Sequence, residues 1–160
     1  MTKAIGRLAG DRVVLDCLVE RHPPFDPDAV VAEFADLLRQ YGLRHTQIDN
    51  YAAEWVPSAF RRFNVGARVS DRSTSDHYRA LLPLVTSRVL SLLDAPRLVG
   101  QLGNLERRVT GMGREQITHP DRAHDDCAAA LAGMAAQLAR RHGPSAMLMD
   151  SNSFAQHLHL

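Results

Sequence analysis

The sequence predicts an α/β protein built on a mixed sheet flanked by helices. Three observations carry that expectation: an N-terminal hairpin, a strand, helix, strand run behind it, and a long amphipathic helix near the C-terminus. Residues 2–8 and 12–20 read as two strands, with Val13, Val14, Leu15, Leu18 and Val19 supplying β-branched and aliphatic content, and Ala9-Gly10-Asp11 supplies the tight turn between them. Pro23-Pro24 ends the hairpin. Asp26 and Pro27 then open a helix as an N-cap acid and a first-position proline. Val30, Phe34, Leu37, Leu38 and Tyr41 recur at helical spacing, and Gly42 supplies a left-handed stop.

The next segment, 43–48, reads as a short strand closed by Asp49, and 50–55 reads as the turn into a helix around 57–63. Residues 65–69 form another strand candidate. Strand, helix, strand in that order implies parallel pairing through a crossover helix. A polar loop spans 70–75, a helical pattern runs from Asp76 through Leu84, and 89–93 is a short apolar piece. Helix is expected again over 97–108, broken at Gly111-Met112-Gly113, with a small extra strand at 115–119. The final helix, 127–141, carries Arg140, Arg141 and His142 against its negative end and stops at Gly143-Pro144. Beyond Ser145 periodicity is weak, so residues 1–144 are expected to form one domain and 145–160 a loosely held tail.

Bulk composition narrows the function classes. The 160 residues, 45% of them apolar, suffice for one domain with a core. Nineteen Lys and Arg against eighteen Asp and Glu leave a formal charge of +1, so nucleic acid is not gripped by net charge alone and any contact has to be local. The pairs Arg61-Arg62, Arg107-Arg108 and Arg140-Arg141 suit phosphate, although solvated helix faces explain such pairs more often. Cys17 and Cys127 are far apart and lack a CxxC partner, which argues against a zinc site or a disulfide scaffold and for a reducing cytoplasm. No apolar stretch is long enough to span a bilayer, and the N-terminus lacks the apolar core of a signal peptide.

The chemistry concentrates in acids. Asp49 closes a strand, and His124-Asp125-Asp126 stands at the start of the last helix. Carboxylates at a strand end and a helix start are how α/β nucleases assemble a divalent metal site, because hard oxygen ligands suit Mg²⁺ and two ions clamp both oxygens of a phosphodiester displacement. Each feature also has a plainer explanation. Asp125 and Asp126 favour the positive end of a helix, and Asp49-Asn50 is good turn chemistry. His119 and His124 flank a short loop, either as paired ligands or as solvated side chains. Trp55, Phe60, Phe63 and Tyr78 read as core.

Taken in order, these segments resemble the C-terminal nuclease domain of the large terminase subunit of tailed bacteriophages. The resemblance is carried by the hairpin, by Pro23-Pro24-Phe25 leading into 29–34, by Asp49-Asn50-Tyr51 through Trp55, and by Tyr78-Arg79-Ala80-Leu81-Leu82-Pro83. Leu92-Leu93-Asp94-Ala95-Pro96-Arg97, Leu105-Glu106-Arg107-Arg108 and His124-Asp125-Asp126 add to it. It implies an RNase H-like fold, a five-stranded mixed sheet flanked by helices. It also implies cleavage of double-stranded DNA during genome packaging, with Mg²⁺ or Mn²⁺ as cofactor. By the same resemblance Asp49 is a metal ligand, Asp126 or Asp125 is the helix ligand, and His124 orients a water or the leaving group. The implied partners are double-stranded DNA, the terminase ATPase domain, the small terminase subunit and the portal, in the cytoplasm of a bacterial host.

Departures from the family pattern are as informative. The family's first metal-binding aspartate lies on a central strand just upstream of Ala4-Ile5-Gly6, so the chain is expected to lack that strand and its acid. Neither Asp11, in a hairpin turn, nor Asp16 is a good substitute. Asn50 and Thr74 stand where basic residues are common, Ala129 where asparagine is, and no GxxxxGK[ST] motif occurs. Whether the chain is an active enzyme is therefore open at this stage. The alternatives are an inactive remnant acting as a DNA-binding or motor-docking module, and another RNase H-like nuclease such as a resolvase or transposase core.

Overall fold

The computed structural model describes residues 1–49, 55–109, 111, 113, 115–121 and 123–142, with side chains through 140. The expected turn at 50–54, Met112 in the glycine break, the side chains of Arg141 and His142, and the tail 145–160 lie outside the described residues.

The hairpin forms as its pattern requires. β1 (Thr2–Ala9) and β2 (Arg12–Glu20) pair antiparallel around Gly10, whose φ of 63° is the left-handed value a tight turn needs. The ladder shifts register between Ile5 and Gly6: Ile5 faces Cys17 while Gly6 faces Leu15, so Asp16 is one extra residue on β2. Side chains alternate across a strand, and one inserted residue therefore moves every later side chain to the other face. Val13 and Leu15 accordingly lie in one core, whereas Cys17 and Val19 pack against another.

α1 (Pro27–Gln40) starts as expected, with the Asp26 carboxylate accepting from the Asp28 amide at 3.0 Å, and Gly42 follows its end at φ 69°. β3 (His45–Ile48) and β4 (Gly66–Val69) pair in parallel through α2 (Trp55–Arg62), the expected crossover. α3 (Thr74–Thr86) begins earlier than the pattern at Asp76 suggests. Ser73 and Asp76 form a reciprocal capping box, which recruits Thr74 and Ser75 into the first turn. The apolar piece at 89–93 contributes β5 (Leu90–Ser91), parallel to β2.

One element differs in kind. Helix expected over 97–108 ends early: α4 is Pro96–Gly103, and β6 (Glu106–Val109) follows as a strand antiparallel to β7 (Glu115–Thr118). Gly103 and Asn104 terminate the helix, and pairing with β7 then outweighs the helical propensity of Leu105-Glu106-Arg107-Arg108. The last helix, α5 (Asp126–His142), runs as expected.

Two buried clusters sandwich the hairpin. Val13, Leu15, Leu81, Leu84, Leu98 and Leu131 form one, between β2 and α3, α4 and α5. Ile5, Val31, Phe34, Leu38, Phe60 and Val65 form the other, beneath α1 and α2. Trp55, expected in the core, is 39% exposed. The five strands of the main layer fall into two sheets, β1-β2-β5 and β3-β4, rather than one continuous sheet. The break lies between β1 and β3, where the resemblance places the central strand.

Candidate functional site

A cavity of about 1490 Å³ occupies that break, lined by residues 1–6 on β1 and 45–49 at β3. Phe34, Val56 and Phe60 line it from the α1–α2 side, and Ala129, Gly133 and Met134 from α5. Asp49, Asp125 and Asp126, the three acids expected to hold metal, all line this one cavity. His124 is exposed and is not among the lining residues.

Each acid has a local reason for its position. Asp49 follows the last residue of β3, and its Oδ2 accepts from the Thr74 hydroxyl at 3.3 Å, at the first residue of α3. Beneath them His77 is buried and shares a 3.0 Å hydrogen bond with the Ser70 hydroxyl. Burial holds the His77 pKa below its ordinary value, with the negative charge of Asp49 opposing that shift.

Asp125 occupies the N-cap position of α5, where an aspartate usually accepts from the second or third amide of its helix. Here those amides are taken: Gln101 of α4, 8% exposed, accepts from Cys127 N at 2.9 Å and Ala128 N at 3.1 Å through its Oε1. The Asp125 carboxylate instead turns to the cavity, where Tyr78 donates its hydroxyl to Oδ2 at 2.7 Å. Burial first, and that hydrogen bond second, push the Tyr78 pKa far above its ordinary value, so the phenol stays a donor. Tyr78 is core, as its spacing suggests, but with a polar tip the spacing does not show. Tyr78→Phe removes a hydrogen bond to a carboxylate, and about 1.5 kcal/mol of stability should be lost in a urea titration.

His119 Nε2 lies 3.8 Å from Asp125 Oδ1, while its Nδ1 is 2.8 Å from the Pro120 carbonyl. A carbonyl accepts only from N–H, so Nδ1 carries a proton and Nε2 is the ring nitrogen that faces Asp125. Among the described residues no three of His, Cys, Asp and Glu are gathered tightly enough to hold a metal ion. The oxygen donors suit a hard divalent cation in type, and the described residues supply them from two sides of the cavity.

Lys3 also lines the cavity, from β1. It is 8% exposed, reaches from β1 to donate to the Thr46 hydroxyl on β3 at 2.7 Å, and sits 5.5 Å from the centre of the Phe60 ring. Burial lowers its pKa to about 8. Below pH 8 both folded and unfolded chains hold the proton, and the folded chain bears the full cost of a buried ammonium. Between pH 8 and the unfolded value near ~10.4 the unfolded chain binds more protons, so stability rises with pH. Lys3→Met should therefore gain about 2 kcal/mol at pH 7, allowing for the lost hydrogen bond, and should lack that alkaline rise. Denaturant titrations of both proteins from pH 6 to 10 check it.

Four of the paired arginines are engaged at the surface. Arg62 pairs with Asp28 at 2.5 Å, Arg107 with Glu115 at 3.5 Å, Arg108 with Glu106 and Asp121, and Arg140 with Asp71 at 3.3 Å. Asp16 pairs with Arg7 at 3.2 Å, outside the cavity. Among the described residues no helix is long and apolar enough to cross a membrane.

No protein-family model and no curated protein matches the sequence. Solved structures do match by shape. The large terminase nuclease from thermophilic phage G20c superposes with a TM-score of 0.70 at 17% identity, over 87% of this chain and 83% of that one. The same nuclease with bound magnesium gives 0.67 at 17% identity, and with bound cobalt 0.67 at 16% identity, each over 86% of this chain and 81% of the other. The fold is thus the RNase H-like fold of the large terminase nuclease, as the sequence resemblance implies.

Proposed function

We propose that this chain is a metal-dependent endonuclease domain of the phage large-terminase type, acting on double-stranded DNA. The observation that supports it best is the release of Asp125 from helix capping by Gln101, which leaves its carboxylate lining the cavity that Asp49 also lines. An acid needed only for the helix end would have accepted from those amides itself.

In this reading Asp49, Asp125 and Asp126 hold Mg²⁺ or Mn²⁺, the latter two from the first turn of α5. When bound, such ions would activate a water and offset charge on the departing 3′-oxygen. The chain's own residues orient the ligands: Thr74 donates to one oxygen of Asp49 and Tyr78 to one oxygen of Asp125. The water-orienting role that the resemblance gives His124 is assigned here to His119, whose Nε2 lies 3.8 Å from Asp125 Oδ1 at the cavity wall. The partners are then the terminase ATPase domain, small subunit and portal, and the setting is the host cytoplasm.

Plasmid cleavage by the purified chain in Mn²⁺, beside Asp49→Ala and a chelator control, tests the proposal. Metal-dependent cutting should be lost in the variant and with chelator. Mn²⁺ should also raise the melting temperature of the wild-type chain, by relieving repulsion among the acids, and do so less in Asp49→Ala. A second reading, a non-catalytic DNA-binding or motor-docking module, is favoured by the lack of a three-ligand cluster among the described residues. A folded wild-type chain that binds DNA without cutting it, and is indifferent to Asp49→Ala, would establish that reading instead.

A further inference from the structure

Lys3 is a buried cation that the nuclease reading does not use. Its ammonium donates to the Thr46 hydroxyl and lies 5.5 Å from the centre of the Phe60 ring. Both of those residues line the cavity, so the charged head stands at the cavity wall. An ammonium has three N–H donors, of which the Thr46 bond uses one. Among the described residues no carboxylate forms an ion pair with it, and none offsets what burial does to its pKa. Buried charges are ordinarily paired, and a ring face compensates a cation only in part. The surroundings say what kind of counter-charge fits. Ile5, on the same side of β1 as Lys3, is buried with Phe34 and Leu38. Thr46 lies three residues before Asp49, roughly 10 Å away at ~3.3 Å per residue, so the Asp49 carboxylate is held off from this end. In the other direction the chain leads to Leu43, whose amide donates to the Leu38 carbonyl at 2.8 Å.

We propose that Lys3 anchors a binding site for a small monocarboxylate with an unbranched apolar body, the carboxylate accepting from the ammonium and the body lying against Phe34, Leu38 and Leu43. Apolar and aromatic walls around a few polar groups are the general form of a small-molecule site. One carboxylate matches one ammonium, and the apolar body replaces water along the wall. A phosphate dianion would bring a second charge that the same walls leave unpaired. The site uses none of the acids assigned to metal, and it stands on the Lys3 geometry independently of the nuclease reading.

Titration calorimetry of the full chain with decanoate, below its micellar range and with chelator present, decides it. The wild-type chain should bind decanoate about tenfold or more tighter than decanol, which has the same apolar body and no charge. Lys3→Met, which sheds the cost of a buried charge and keeps the fold, should weaken decanoate about tenfold or more and leave decanol unchanged. Equal affinity of the wild-type chain for decanoate and decanol overturns the proposal, since the cavity would then select apolar surface alone. Undiminished decanoate binding in Lys3→Met also overturns it, pointing to the exposed cations Met1 N and Arg79 that line the same cavity. So does a folded wild-type chain that binds no decanoate. The comparison of decanoate with decanol on the wild-type chain decides alone if Lys3→Met fails to fold.

Discussion

Replacing Gln101 by leucine should cost about 3 kcal/mol and cripple the candidate site from a helix away. Leucine keeps the approximate size but removes the carbonyl oxygen that accepts from Cys127 N and Ala128 N, both buried at the start of α5. Two buried donors without partners cost about 1–3 kcal/mol each. Asp125 is the nearest remedy: swinging its carboxylate onto those amides recovers part of the loss as an ordinary N-cap, but abandons the Tyr78 hydroxyl and the cavity. The variant should therefore unfold at lower urea and lose metal-dependent cleavage while remaining folded. Full retention of both stability and Mn²⁺-induced stabilisation would show that the Gln101 cap does not govern where Asp125 points.

Gly6→Ala should be comparably severe, about 3 kcal/mol, for steric reasons. Gly6 sits at the register shift of the hairpin, where α5 crosses β1 closely. A methyl group there would collide with the Val14 carbonyl oxygen and stand 2.6 Å from Met134 Sδ. Shortening Met134 relieves the second contact and not the first, because a ladder carbonyl cannot turn away as a side chain can. Gly6→Ala with Met134→Ala should therefore recover little of the loss. Complete recovery in thermal unfolding would place the strain in the helix contact alone.

What was legible in the sequence was local chemistry. The hairpin turn at Gly10, the Asp26 cap, the stop at Gly42 and the crossover pairing of β3 with β4 each follow from residues adjacent in the chain. The resemblance added the fold and the location of the break in the sheet, which no periodicity shows. Long-range effects were not legible. Gln101 caps a helix that begins 25 positions later, so Asp125 alone looked like an ordinary cap. Tyr78 read as core because its spacing records burial, while its hydroxyl meets an acid 47 residues away. The Leu105-Glu106-Arg107-Arg108 segment favours helix by propensity, and only its β7 partner makes it a strand. His119 and His124 were indistinguishable by composition, since what separates them is distance to Asp125.

The extra residue at Asp16 has a thermodynamic consequence. By turning the second half of β2 over, it makes a single ribbon the common wall of both hydrophobic clusters. Neither cluster can melt without exposing part of a strand that the other also covers. The halves of a divided sheet, with no ladder joining them across the cavity among the described residues, are thereby coupled into a single cooperative transition.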